Sequence, residues 1–475
     1  MMTINILLEI DSSYERKAKY TFEALAEFIG VQPFFIDKLP DREIHIYYGS
    51  NQNNNAIISI YHSPEAATFY KKRDPYDPNK VHYEKYDDVV LPFLFSTKLD
   101  VSTIFCELPN GHLYIYQDII SSAFYFLSCW QEYAAKDEFY PGYRFDFKKS
   151  LQYYGGFTII PVVDYYADIL KSCIKKTLPN NALPIQKHKN IEHLLHSTSY
   201  EYYKGELFCT HDIDYFDYWT KNHLKDTYIY NLKRIFRSPI AAIYKIIGHF
   251  FTKQLIWNPQ KELNKIYLKE AKLGVTSTSF LMVKADNDKR QGYFEEKEQL
   301  LHIQEIFKDK AIGLHGSMKA AFDENVLKQE FELLKTTGYQ PNIYRNHYLC
   351  FDYQTTFSLL EKAGFVYDTT LGFWEHCGYR AGTGHPFHPY NLSEDKPFKI
   401  IELPLIIMDA TLINQNIMNL SYRKAKKLIF QIIDTAHRIG SPLTILWHNN
   451  RFDIIDYPWL GKLYWDIIKK LQNSY

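Results

Sequence analysis

Leu207-Phe208-Cys209-Thr210-His211-Asp212-Ile213-Asp214 reads as a short apolar strand, Leu207 to Thr210, that runs straight into two carboxylates. In an extended chain, side chains two apart share a face, so Asp212 and Asp214 project together from the strand's carboxyl end. α/β folds gather ligands and catalytic groups at that end. Two neighbouring carboxylates repel each other unless a divalent metal or an Arg lies beside them. The alternative without chemistry is an Asx-rich turn after a strand. Segments further along the chain bear on the choice.

From residue 206 onward, apolar β-rich segments alternate with helical ones. Strands are expected at 206–210, 276–283, 311–315, 342–346, 364–367, 399–404 and 443–448. Helices are expected near 261–273, 295–309, 324–337, 354–363 and 421–439. Alternation of this kind predicts parallel βαβ units, and seven strands suggest a closed or nearly closed barrel. Two long excursions interrupt it, 215–260 and 369–398. Within the first, Asn231–Trp257 is apolar with Lys233, Arg234, Arg237, Lys245 and Lys253 interspersed. Such a segment can lie on an anionic membrane surface. A helical insertion packed over the barrel mouth is preferred, because the basic and apolar faces do not separate cleanly.

The first third reads differently. Strands are expected at 3–10, Glu43–Tyr48 and Ala56–Tyr61, and helices at Ser12–Phe28, Ile119–Tyr133 and Pro161–Ile174. Residues 65–90 are polar and expected as loop. This makes a small α+β domain over 1–177, with no catalytic constellation, and a polar linker over 178–205 containing Pro179 and Pro184.

Composition sets outer bounds. A chain of 475 residues calls for two or three domains. Lys+Arg and Asp+Glu both number 55, so bulk charge does not favour nucleic acid. The 40 Tyr and 32 Phe accompany abundant Ile, Lys and Asn, as an AT-rich genome produces, and need not mean sugar-binding platforms. Six scattered cysteines without a C-x-x-C suit a reduced compartment. The amino terminus has no basic start and reads as a strand rather than a signal peptide, so a cytoplasmic location is expected. No uncharged apolar run reaches membrane-spanning length.

The chemistry-bearing residues recur at strand ends. His315 ends Ala311-Ile312-Gly313-Leu314-His315 and precedes Gly316-Ser317, a position from which one ring nitrogen can ligate a metal. Tyr344-Arg345-Asn346-His347-Tyr348 ends the next strand; Arg345 can hold an active-site carboxylate ionised, and His347 shares its side if the chain stays extended. Asp368 follows the fifth strand and His448 ends Leu443-Thr444-Ile445-Leu446-Trp447-His448. Structural needs alone rarely gather so many such groups at one edge.

The order of these motifs resembles the polysaccharide deacetylase (NodB-homology) superfamily of metal-dependent carbohydrate esterases. The matching segments are His211-Asp212-Ile213-Asp214, Gly313-Leu314-His315-Gly316-Ser317, Arg345-Asn346-His347-Tyr348, Asp368-Thr369-Thr370 and Leu446-Trp447-His448. Gly378-Tyr379-Arg380-Ala381-Gly382-Thr383 and Glu402-Leu403-Pro404 look like a bacterial subgroup with an uncharacterised N-terminal domain. The resemblance covers 206–475. It implies a (β/α)7 barrel that binds one divalent metal, usually zinc, and removes acetyl from an N-acetylated sugar of a glycan or its precursor. It further implies Asp212 as general base, Asp214 and His315 as metal ligands, Arg345 as the partner of Asp212, and His448 as general acid. Tyr348, Asp368, Arg380 and Trp447 become expected substrate contacts.

One departure matters. The superfamily usually carries a second metal-binding His at the position of Lys319, and a protonated Lys cannot ligate. His347 is expected to complete the set; a weakly held metal or none at all are the alternatives. Two further readings stay open: a catalytically silent carbohydrate-binding protein on the same barrel, and a metal-independent hydrolase of another C–N bond.

Overall fold

The computed structural model describes residues 2–36, 43–96, 103–135, 144–178 and 207–474, apart from residues 234, 237, 252–256, 287 and 296. The architecture is mixed α/β, built on two separate main sheets. From residue 179 onward, the expected linker lies outside the described residues.

The first sheet comprises β1 (Met2–Glu9), β2 (Val31–Ile36), β3 (Ile44–Gly49), β4 (Ala56–Tyr61), β7 (Phe105–Glu107) and β8 (Leu113–Ile115), in the order β2-β1-β3-β4-β8-β7. All its pairings are parallel except β7 with β8. The α+β expectation is therefore corrected to a largely parallel α/β sheet. The helix Glu15–Ile29 carries the chain back from β1 to β2, which makes the two strands parallel neighbours. It stops at Gly30, whose φ of 76° favours a residue without a Cβ.

Two local expectations fail. Residues 65–90 are not all loop: they include the helix Pro64–Phe69 and most of a hairpin of β5 (His82–Tyr86) and β6 (Val89–Phe93). The charged residues of His82-Tyr83-Glu84-Lys85-Tyr86 hide an alternation that a two-stranded exposed ribbon tolerates. The helix expected over 119–133 divides into Ile119–Leu127 and Trp130–Ala134, because Cys129 adopts a left-handed φ of 46°.

The second sheet holds β9 (Leu207–Ile213), β10 (Ser277–Met282), β11 (Ala311–Gly316), β12 (Ile343–Asn346), β13 (Tyr367–Asp368), β16 (Ile401–Glu402), β17 (Leu405–Met408) and β18 (Leu443–Leu446). It runs β16-β13-β12-β11-β10-β9-β18-β17, with every pairing parallel. Eight strands replace the expected seven: the strand expected at 399–404 is Ile401–Glu402, and an unexpected one, Leu405–Met408, follows directly after Leu403-Pro404. These two are the edges of the sheet, so the chain itself links one edge to the other. Phe208, Phe280, Ile343, Tyr367, Ile401 and Leu403 form one buried cluster, which joins side chains from β9 to those of the β16 edge and shows that the sheet curls. The opposite face is covered by helices, chiefly Tyr422–Ile439 and Leu460–Ser474. Burial on both faces explains why these strands read as continuous apolar runs.

The two sheets do not belong to loosely tethered units. One hydrophobic cluster includes Phe124, Phe126, Val162 and Val163 from the first third together with Tyr353, Ala381 and Tyr390 from the last. The excursion 369–398 makes much of this contact. It carries the short pair β14 (Tyr390–Asn391) and β15 (Lys396–Pro397), and its Arg380 meets Glu132 in a buried two-pronged ion pair of 2.7 and 2.6 Å. Asp164 bridges the halves again, accepting from the Gly384 amide at 3.2 Å and the Ser441 hydroxyl at 2.5 Å.

Candidate functional site

Because all strands of the second sheet are parallel, the ends of β9, β11, β12, β17 and β18 open at one edge. Along β9, Phe208, Thr210 and Asp212 face the curl, while His211 turns the other way. His211 is buried among helices, between the Trp447 carbonyl at 2.7 Å and Glu270 at 2.8 Å. It is a structural histidine, next to a functional-looking pair only in sequence.

Asp214, His315 and His347 come together as a buried group whose ligating atoms lie within 4.8 Å of one another. His315 Nε2 is 3.2 Å from Asp214 Oδ1, and His347 Nε2 is 3.9 Å from Asp214 Oδ2. Atoms about 2.0–2.2 Å from a shared tetrahedral ion are about 3.4 Å from one another, so the spacing suits a metal. Two of the atoms, Asp214 Oδ1 and His315 Nε2, are buried without a hydrogen-bond partner. Unsatisfied buried polar atoms of complementary type, aimed at one point, are what a cation would resolve. The arrangement can hold a metal ion.

Both imidazoles are oriented from behind. His315 Nδ1 donates to the Arg345 carbonyl at 3.1 Å, and His347 Nδ1 donates to Asp286 at 2.7 Å, leaving each Nε2 lone pair toward Asp214. Asp286 is itself held by the Met318 amide at 3.0 Å. Tyr348 takes a left-handed φ of 58° and stacks on His347 with ring centroids 3.9 Å apart. Lys319 is exposed, on a short turn away from this group.

Asp212 faces Arg345, with Oδ1 and Nη1 3.0 Å apart. The guanidinium is fully buried and also donates to the Thr210 and Thr369 hydroxyls and the Thr369 carbonyl, at 2.7, 3.0 and 3.1 Å. It rests 4.4 Å from the Phe280 ring. Gly313 makes room for that ring: a Cβ there would lie 2.5 Å from it. His448 completes the group. Its Nδ1 donates to Asp409 at 2.6 Å, its amide to the same carboxylate at 2.7 Å, and its Nε2 lies 3.8 Å from Asp214.

The electrostatics follow from these neighbours. Burial works against the charge on His448, but the Asp409 carboxylate outweighs it and pushes the imidazole up to about 9. Burial would likewise raise Asp214; the His347, His315 and His448 rings around it instead hold its carboxyl well below the usual range.

These side chains open on a cavity of about 440 Å³. Asp212, Asp214, His315, His347, Tyr348 and His448 all line it. The excursion 215–260 forms part of its wall through Tyr230, Asn231, Lys245 and Trp257, so this insertion lies against the mouth. Its outer surface leaves Phe236 and Ile240 94% and 84% exposed. No described helix is long and apolar enough to cross a membrane.

Three expected substrate contacts are placed elsewhere. Asp368 is buried against Thr370 and faces the Glu402 carboxyl. Arg380 is committed to Glu132 and the Gly372 carbonyl. The Trp447 ring is buried beside Tyr464. None lines the cavity. In the other direction, Asp286, Asp409, Arg144 and Arg451 escaped the sequence reading. Asp409 directly follows β17, and its strand-end position was hidden by taking Pro404 as the end of the strand.

Residues 6–179 match a family of unknown function, DUF7033. The match covers the first sheet from Ile6 onward with its helices, and ends before β9. No curated protein and no solved structure matches the chain.

Proposed function

We propose that the C-terminal region is a (β/α) barrel of the polysaccharide deacetylase (NodB-homology) superfamily, and that the chain removes N-acetyl groups from an amino-sugar-containing glycan or its precursor. The observation that carries this reading is the convergence of an Asp-His-His group, an Arg-held Asp and an Asp-held His on one cavity. Asp214, His315 and His347 would hold a divalent metal, and oxygen with imidazole ligands suits zinc. When bound, the metal would supply positive charge to polarise the acetyl carbonyl and acidify water.

The chain's own groups do the rest. Asp212 takes a proton from the attacking water, and Arg345, 3.0 Å away, holds that carboxylate in position at the cavity. His448 delivers a proton from Nε2 to the departing amine nitrogen, which is a poor leaving group until protonated. Asp409 holds the opposite nitrogen, so the proton-bearing edge faces the substrate. Tyr348, packed against His347 and Arg144, lines the cavity, where a sugar would meet its exposed part.

Acetate release from N-acetylglucosamine oligosaccharides, measured alongside metal content, tests this. The intact chain should bind about one zinc, lost in Asp214→Ala, His315→Ala and His347→Ala. Asp212→Asn and His448→Gln should keep the metal and lose at least about 10²-fold in rate. A zinc-loaded chain that releases no acetate from any N-acetylated sugar would leave a binding module. Activity undiminished by metal removal would point to the metal-independent hydrolase instead.

A further inference from the structure

The cavity wall holds more unmet hydrogen-bonding capacity than the metal group explains. Buried atoms without a partner include Nε of Arg144 and Arg451, Nε1 of Trp257, and the amide oxygens of Asn231, Gln291 and Asn450. Buried polar groups are normally satisfied. Orphans gathered around one cavity therefore describe the ligand that would satisfy them.

The charges sharpen that description. The carboxylates lining the cavity already have cationic neighbours: Asp212 has Arg345, Asp288 has Arg290 at 2.5 Å, and Asp453 and Asp456 share Lys245 at 2.5 Å each. Asp214 belongs to the imidazole group. The Arg451 guanidinium makes neither a hydrogen bond nor an ion pair among the described residues, and it lies 4.3 Å from the Tyr457 ring. Arg144 has no carboxylate partner there either. It rests against Trp374 at 4.4 Å and Tyr348 at 5.6 Å, and touches the Cys350 thiol. Stacking on rings fixes the plane of a guanidinium while leaving its N–H edge available. Neither guanidinium has a carboxylate within ion-pair distance among the described residues, Asp409 and Asp214 acting on Arg451 only from farther off, so the two together form a receptor for an oxyanion.

We infer that the cavity selects an acidic ligand, with Arg451 and Arg144 binding a carboxylate or phosphate group and the amide oxygens of Asn231, Gln291 and Asn450 accepting from its hydroxyls. Identifying the ligand as an amino sugar rests on the deacetylase reading; the preference for an anion does not. Arg144 lies within the segment that matches the family of unknown function, so the first third contributes to selectivity at a site otherwise built by the second sheet.

Binding, rather than turnover, tests this. Calorimetry on the full zinc-supplemented chain would compare a hyaluronan tetrasaccharide, which carries carboxylates, with neutral chitotetraose. N-acetylglucosamine 1-phosphate would be compared with N-acetylglucosamine in the same way. At least one acidic member should bind about 10–100-fold tighter than its neutral counterpart, as charge-assisted bonds to a guanidinium allow. Which pair shows the gap assigns the anion to carboxylate or phosphate. The gap should shrink at least about tenfold in Arg451→Gln or Arg144→Gln, with thermal midpoints unchanged. Equal affinity within both pairs, or a gap that survives in both variants, overturns the inference. A chain that prefers the acidic ligand and releases no acetate would retain this inference and lose the proposed reaction.

Discussion

Asp164 gives the sharpest test of how the halves are joined. It is 3% exposed, in the first turn of the helix Val162–Thr177, and its carboxyl reaches across to Gly384 and Ser441. Burial raises it from 3.8 to about 7, the hydrogen bonds from Ser441, Thr383 and Gly384 offsetting only part of the desolvation. For an acid whose folded value lies above its unfolded one, the stabilising contribution is complete below pH about 4. It is lost as pH climbs through about 7. Three pH units at 1.36 kcal/mol each put the full swing at about 4 kcal/mol. Asp164→Asn keeps a hydrogen-bonding oxygen and abolishes the titration. Urea unfolding of both proteins from pH 4 to 8 should show the parent losing up to about 4 kcal/mol relative to the variant, most of it between pH 5 and 7. A difference that stays flat over that range would refute the buried-carboxyl argument.

Two other outcomes are expected. Asp286→Asn should weaken zinc about 10–100-fold in competition with a chromophoric chelator, because the carboxylate orients His347. Lys319→Ala should leave affinity unchanged, and the reverse ranking would mean that the wrong residue has been put in the missing ligand's place. Glu132→Leu and Arg380→Met should each cost about 3–5 kcal/mol, since each strands a buried charge, while the double variant costs far less than their sum. Strictly additive losses in denaturant unfolding would show that the pair is not coupled.

Much of this site can be read from the chain because it is local. A strand followed by Asp-x-Asp, or ending in His, carries both its geometry and its chemistry within a few residues, and parallel pairing brings such ends together. His347 is the clearest example: its position at the end of the strand after the one that carries His315 is enough to make it the candidate third ligand. Three kinds of information are not local. Asp286 matters only because it lies behind a ring 61 positions away. Arg380 has the chemistry of a substrate contact, but Glu132, 248 positions away, occupies it. Arg144 belongs to a region whose sequence carries no catalytic pattern, and only tertiary packing brings it to the cavity. The strand β17 escapes the sequence for a different reason: Pro404 is a normal stop signal, but here a second strand starts at the very next residue.

The shared core also bears on how the protein is made. On the ribosome, the first sheet emerges long before Tyr390 and Ala381, the residues against which its Phe124 and Phe126 finally pack. The second sheet waits longer still, since β9 has β18 as a neighbour and that strand begins at Leu443, near the carboxyl end. For most of synthesis, therefore, a broad aromatic surface and one side of β9 have no native partner, which is when nascent chains aggregate or recruit chaperones. Nonsense and frameshift products ending anywhere before β18 should be cleared by quality control rather than persist as working fragments.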